Sequence, residues 1–207
     1  MLLKSRHTHD NTLEAGIDEA GRGSLWGPLY AAAVIWNHEE NEVSKFIKDS
    51  KKLSAKRRVA LADSIKDLAI DWAIGSVTPA EIDALGMTKS NQLAFTRALG
   101  NLSVEPERLL IDGILSIYDP PWSFKEQIVE PEADNKYIAV AAASILAKTE
   151  HDKWVENFCE INQNIAERYD LLNNKGYGTA KHRAGVIQWG EDSHHRKLFL
   201  RKLHASR

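Results

Sequence analysis

The sequence predicts an α/β fold in which a mixed sheet is flanked by helices and followed by a C-terminal helical extension. Three observations predict it. The run Leu29-Tyr30-Ala31-Ala32-Ala33-Val34-Ile35-Trp36 is nearly all apolar, which suits a strand covered on both faces better than an alternating surface strand. Strand-like runs come first and then alternate with helical ones, as in a sheet with helices packed on its faces. Beyond Asn173-Asn174 lies a Gly-rich turn, Gly176-Tyr177-Gly178-Thr179, and then a helical segment over residues 180–189.

The elements follow in order. Residues 13–18 read as a strand ending in Asp18-Glu19 and a Gly-rich turn, Gly21-Arg22-Gly23, with residues 28–36 as its neighbour. Ser54 is placed to cap a helix running to about Ala69, with Val59, Leu61, Ile65 and Leu68 near helical spacing. A third strand is expected over residues 71–77. Thr78-Pro79-Ala80-Glu81 then opens a helical stretch to about Leu99, with a hydroxyl cap, proline at the first position and an acid three residues after the cap. Leu109-Leu110-Ile111 leads as a strand into Asp112-Gly113, and residues 127–129 form a short later strand. Residues 135–158 are rich in helix formers, which places Asp134 at that helix's N-terminus and leaves an alanine face suited to close packing on a sheet.

Composition excludes several classes. Apolar residues are 43% and charged residues 27% of the chain, so neither a disordered nor a fibrous protein is indicated. The single cysteine, Cys159, cannot form an intrachain disulfide, and with no apolar signal segment near Met1 the expected location is the cytoplasm. No run reaches the about 18 apolar residues that a membrane helix needs. The net charge of −2 is uninformative, but its distribution is not: seven lysines or arginines against one acid occupy residues 45–58, and residues 194–207 are also basic. Such clusters suit phosphates. The histidines show no zinc-finger spacing, and neither a Gly-Lys-Ser/Thr phosphate loop nor a Gly-x-Ser-x-Gly elbow is present.

The residues that can carry chemistry are Asp18, Glu19, Asp112 and Asp134, three of them at strand ends, where open α/β sheets place their ligand sites. Carboxylates without Cys or His favour hard cations, Mg²⁺ or Mn²⁺, and two such ions about 4 Å apart can cleave a phosphodiester. Because adjacent strand residues point to opposite faces, Asp18 and Glu19 require a bend, which Ala20 and Gly21 permit. Taken singly, Asp134 reads as a helix cap, Asp112 as a turn residue, Gly21-Arg22-Gly23 as a tight turn and Tyr177 as an ordinary loop aromatic.

The motifs taken together resemble ribonuclease HII: Gly16-Ile17-Asp18-Glu19-Ala20-Gly21-Arg22-Gly23, Asp49-Ser50-Lys51-Lys52-Leu53-Ser54, Ile111-Asp112-Gly113, Asp134-Asn135-Lys136-Tyr137, Ala141-Ala142-Ala143-Ser144-Ile145-Leu146-Ala147-Lys148 and Lys175-Gly176-Tyr177-Gly178-Thr179, in that order. The resemblance implies a ribonuclease H-like catalytic domain over residues 13–160, a flexible tail over 1–12 and a helical lobe over 161–207 that contributes to substrate binding. It further implies an endonuclease acting on RNA–DNA hybrids and ribonucleotide-containing DNA duplexes. Cleavage would use two metal ions and leave a 3′-hydroxyl and a 5′-phosphate. By the same carry-over, Asp18, Glu19, Asp112 and Asp134 are metal ligands, Gly21, Arg22 and Gly23 sense the ribose 2′-hydroxyl, Tyr177 packs on the adjoining sugar, and Lys51 contacts a phosphate. No obligate protein partner is implied. Two segments depart from the family: Leu198 stands where a proline-containing segment with His-Arg-x-Ser-Phe would have serine, and Ala84-Leu85-Gly86-Met87 stands where an asparagine-containing segment would precede the helix. A non-catalytic hybrid-binding module and a phosphohydrolase of small substrates are the competing readings. The four carboxylates weigh against the first and the basic clusters against the second.

Overall fold

The computed structural model describes residues 3–37, 42–47 and 53–204, with side chains as far as residue 201. Five strands, β1 (Glu14–Ala20), β2 (Leu29–Ile35), β3 (Asp71–Val77), β4 (Arg108–Asp112) and β5 (Glu126–Glu130), form one sheet in the order β3-β2-β1-β4-β5. β2 runs antiparallel to both of its neighbours, while β1, β4 and β5 are parallel. The sheet is therefore mixed, as the sequence predicts. The helices are α1 (Ala55–Leu68), α2 (Pro79–Leu85), α3 (Met87–Gly100), α4 (Ile138–Ile161), α5 (Gln163–Tyr169), α6 (Leu171–Asn174), α7 (Ala180–Trp189) and α8 (Lys197–His204).

The apolar run of β2 divides by alternation. Ala32, Val34 and Trp36 enter one core with α1 and α4, and Ala31, Ala33 and Ile35 enter another with α3. α4 crosses β1 so closely that a Cβ on Gly16 would overlap the backbone of Ala139 and Val140. That approach fixes the position of Ser144, a little over one turn further along α4, relative to the end of β1. Among the described residues no helix is long and apolar enough to cross a membrane.

Several boundaries differ from expectation, each for a local reason. The helical stretch after Thr78 is two helices, because Gly86 adopts φ +77° between them; the capping box at its start is present, with Thr78 and Glu81 exchanging hydrogen bonds. α4 begins at Ile138 rather than 135: residues 133–135 form a separate 3-10 turn, and Tyr137 is extended, paired with Lys4. Asp134 is thus in that turn and does not cap α4. The buried face of α1 is Leu61, Ala62 and Ile65, leaving Val59 and Leu68 exposed.

The segment expected as a loose tail has no regular element over residues 5–12 but is tied to the domain. Asp10 and Glu14 both receive the buried guanidinium of Arg108, at 2.9 and 2.7 Å, and His7 reaches the Tyr137 hydroxyl at 3.0 Å. Arg108 holds the Asp10 carboxyl well below the usual carboxylate range. The C-terminal helices likewise share a core with the β1–β2 connection: Leu25 and Trp26 pack with Val155 and Cys159 of α4 and with Tyr169, Leu171, Val186 and Leu200.

Candidate active site

The ladder between β1 and β4 ends at the pair Ile17 and Ile111, so the next residue of each strand, Asp18 and Asp112, emerges at the same carboxyl end of the sheet. Asp18 is buried. It accepts from the Ser144 side chain and, at 2.7 Å, from the Glu19 amide. Burial, then the neighbouring charges of Glu19 and Asp112, raise its pKa well above the ordinary carboxylate value. β1 stays regular through Ala20, so the expected bend between the two acids does not occur there; the turn comes at Gly21, with φ +82°. Asp18 therefore faces α4, and Glu19 leaves the other side of the strand end, with Arg22 at 3.6 Å.

Asp112 accepts from the Ala133 amide at 2.7 Å, which fastens the end of β4 to the turn that carries buried Asp134. Asp134 in turn accepts from the Asn135 side chain at 3.2 Å. Among the described residues no three His, Cys, Asp or Glu side chains converge as a ready-made metal cage. What favours a cation is the donor set itself: oxygen ligands only, with Asp18 buried and under the repulsion of two neighbours.

A cleft of about 220 Å³ opens at this strand end, lined by Asp18, Glu19, the turn from Gly21 to Gly23, Ser144, Lys148 and Tyr177. Clefts of about 380 and 500 Å³ lie among the C-terminal helices, but the four carboxylates are absent from their walls. Neither Asp112 nor Asp134 is part of the smaller cleft's wall, although the charge of Asp112 acts on Asp18. Tyr177 arrives from the C-terminal segment and its hydroxyl accepts from the Gly21 amide at 3.2 Å, so the two predicted ribose-facing elements touch directly. Lys51 lies outside the described residues. Of the basic cluster around it, Arg58 is committed to Asp152 at 3.0 Å.

Four residues of this neighbourhood were not singled out by the sequence. Ser144 and Lys148 stand one turn apart on α4, inside a quoted motif; Lys148 pairs with Asp152 at 2.6 Å and its ammonium lies 5.1 Å from the Tyr177 ring centre. His151 is fully buried behind Gly21, where an added Cβ would meet its ring at 2.5 Å, and burial lowers its pKa. Arg196 belongs to the basic C-terminal run expected to face phosphate. It is instead wholly buried, and burial pushes its pKa down to about 10.

Behind Tyr177 two buried histidines meet. The Tyr177 carbonyl can only accept, so Nδ1 of His182, 3.0 Å away, carries the proton and its Nε2 accepts from Nε2 of His195 at 3.1 Å. Burial brings His182 down to about 4. Its folded pKa lies below the unfolded value near 6.5, so the unfolded chain takes the proton first, and stability is lost as pH falls from about 6.5 toward 4. Urea melts at pH 7 and pH 5 should differ by about 2 kcal/mol from this residue alone. His182→Gln should flatten that part of the profile, and an equally steep profile in the variant would assign the effect elsewhere.

Comparison with known proteins agrees with this geometry. The ribonuclease HII family profile matches residues 15–204. The chain is 42% identical to ribonuclease HII of Bacteroides thetaiotaomicron over 96% of its own length and 94% of the relative's. It is 40% identical to ribonuclease HII of Prochlorococcus marinus, over 91% of this chain and 96% of the other. The crystal structure of ribonuclease H2 from Pyrococcus horikoshii superposes with a TM-score of 0.74 at 27% identity, covering 93% of this chain and 97% of that one. The chain belongs to the ribonuclease HII family and is a nuclease, a hydrolase of the ribonuclease H class.

Proposed function

We propose that this nuclease hydrolyses the RNA strand of RNA–DNA hybrids and cuts at ribonucleotides embedded in duplex DNA, using divalent cations, Mg²⁺ or Mn²⁺, held by Asp18, Glu19, Asp112 and Asp134. The observation that carries the proposal is the single cleft in which Asp18 and Glu19 share walls with the 21–23 turn and Tyr177. It sets carboxylate oxygens of the kind that hard cations prefer beside main-chain and aromatic groups that can meet a sugar.

When bound, a pair of such ions supplies activation of water and charge stabilisation at the leaving oxygen, giving a 3′-hydroxyl and a 5′-phosphate. The protein's own residues position and select. Ser144 and the Glu19 amide orient Asp18, and the Ala133 amide orients Asp112. Lys148 adds positive charge to the cleft wall, suited to a phosphate. The amides of the 21–23 turn, with Arg22, face the ribose, whose 2′-hydroxyl is the group that distinguishes RNA from DNA. Lys51 is assigned a phosphate contact and the C-terminal helices a share of the duplex surface.

A labelled DNA duplex carrying one ribonucleotide tests this directly. Cutting at that nucleotide with Mg²⁺ or Mn²⁺, abolished by chelator, is expected. Cutting that persists in chelator would remove the metal ions, and equal cutting of an all-DNA duplex would remove the sugar selectivity.

Tyr177→Ala should slow cleavage most at a single embedded ribonucleotide and less on a continuous RNA strand, where neighbouring 2′-hydroxyls contribute. The ring offers a stacking surface worth on the order of 1–3 kcal/mol in single-strand sites. Tyr177→Phe, which keeps the ring and loses only the bond from the Gly21 amide, should fall between Tyr177→Ala and the parent. Equal losses on both substrates would make the ring a general duplex contact.

A further inference from the structure

The C-terminal segment that departs from the family pattern meets the 21–23 turn, and its Arg196 is not among the residues lining the cleft. It is pinned at several points. The His194 carbonyl accepts from Gly27, the Arg196 amide donates to the Leu25 carbonyl, and both carboxylate oxygens of Asp83 on α2 receive the amides of Lys197 and Leu198, at 3.0 and 2.9 Å. Leu198 packs against the α3-side core. This anchoring delivers the Arg196 side chain to a place where water does not reach.

There the guanidinium collects main-chain carbonyls. Nε donates to Gly27 at 2.9 Å, and one terminal nitrogen donates to Gly21 at 2.7 Å and to Arg22 at 3.2 Å. Among the described residues the other terminal nitrogen has no hydrogen-bond partner. Among the described residues no carboxylate forms an ion pair with it, Asp83 acting on it only as a nearby charge, although a buried charge is costly unless something specific is gained by it. The gain is directional. In a trans peptide the carbonyl of one residue and the amide of the next point in opposite directions. Drawing the Gly21 and Arg22 carbonyls inward therefore turns the amides of Arg22 and Gly23 away from Arg196. The Gly21 carbonyl also closes the turn by accepting from Ser24 at 3.1 Å.

We infer that Arg196 is a positioning residue for sugar selection: its buried fork holds the Gly21, Arg22 and Gly27 carbonyls, and so presents the turn's amides to the ribose. Lysine cannot replace it. An ammonium is a point donor on a flexible stem, whereas the planar guanidinium reaches three carbonyls in one fixed arrangement. The inference rests on the reading of the 21–23 turn as the ribose-facing element.

The test compares Arg196→Met, which preserves length in an apolar site, and Arg196→Lys, which preserves charge, with the parent enzyme. Thermal melting gives the folded fraction. kcat and KM are measured with Mg²⁺ on a duplex carrying one ribonucleotide, on a continuous hybrid, and on all-DNA duplex. Both variants should lose at least tenfold in kcat at the single ribonucleotide, with KM within about threefold of the parent and a smaller loss on the hybrid. Failure of lysine to rescue is part of the expectation. Losses that only follow the folded fraction, equal losses on both substrates, a change confined to KM, or full rescue by lysine would each overturn the role of Arg196. Failure of the underlying reading shows separately, in the parent enzyme, as cutting that ignores the ribonucleotide.

Discussion

Asp112→Asn is expected to bring cleavage to the background of the assay while leaving the melting temperature close to that of the parent. The reason is that Asp112 has two separable tasks. Its Oδ1 accepts from the Ala133 amide at 2.7 Å and so anchors the turn bearing Asp134, a bond that an asparagine carbonyl can make in the same place. Its charge, which also acts on Asp18, is removed by the substitution. Changes to groups that merely orient metal ligands typically cost 10–100-fold, so loss of a ligand charge should exceed about a hundredfold. Binding of a hybrid, read by fluorescence anisotropy, should persist because the basic surface is untouched. Turnover near that of the parent would remove Asp112 from the ligand set. Asp112→Ala, losing both tasks, should in addition lower stability by about 1 kcal/mol.

The largest effect on stability is expected from Gly16→Ala. An added methyl has nowhere to go, because its position is already occupied by the α4 backbone at Ala139 and Val140. A flexible side chain could swing aside, but a helix backbone can only move as a body, against the alanine-rich packing on β1 and β2. Overpacking ordinarily costs about 1–3 kcal/mol, and a backbone clash belongs at or above the upper end. At about 2–4 °C per kcal/mol for a chain of this size, the melting temperature should fall by roughly 6–12 °C. Gly23→Ala is the matched control: apart from its chain neighbours, no atom of the described residues lies within 4 Å of where its Cβ would sit, and its melting temperature should be unchanged. Equal melting of the two variants would mean that α4 is not seated on β1 as described. Because α4 also carries Ser144 to Asp18, the residual folded Gly16→Ala protein should be catalytically impaired as well.

What the sequence revealed and what it concealed follow the range of the interactions involved. The apolar run at residues 29–36 announced a strand buried on both faces, because each position reports its own environment. Thr78 and Glu81 announced their helix, because a capping box is complete within four residues. Asp18-Glu19 and Asp112 stood out as acids at strand ends, and the parallel register sets Asp18 and Asp112 side by side. Gly86 was less legible, since an isolated glycine within a helical pattern can be tolerated, and only its positive φ shows that it divides two helices. The anchoring of residues 4–10 was hidden for another reason: Arg108, which receives Asp10, is 98 residues away and looked like any charge at the start of a strand. Arg196 is the extreme case. In a basic run it reads as surface, and nothing nearby reveals that its partners are carbonyls at the far end of the chain.

That separation has a temporal consequence for synthesis. Gly21 and Arg196 are 175 positions apart, so at about 5–20 residues per second the ribosome delivers the arginine roughly 9–35 s after the turn it must hold. During that interval β1 and β2 can pair and α4 can settle, yet the turn between them lacks its brace. On the proposed role of the turn, competence for selecting a sugar would arrive as a late event in the life of the nascent chain, after the sheet that supports it.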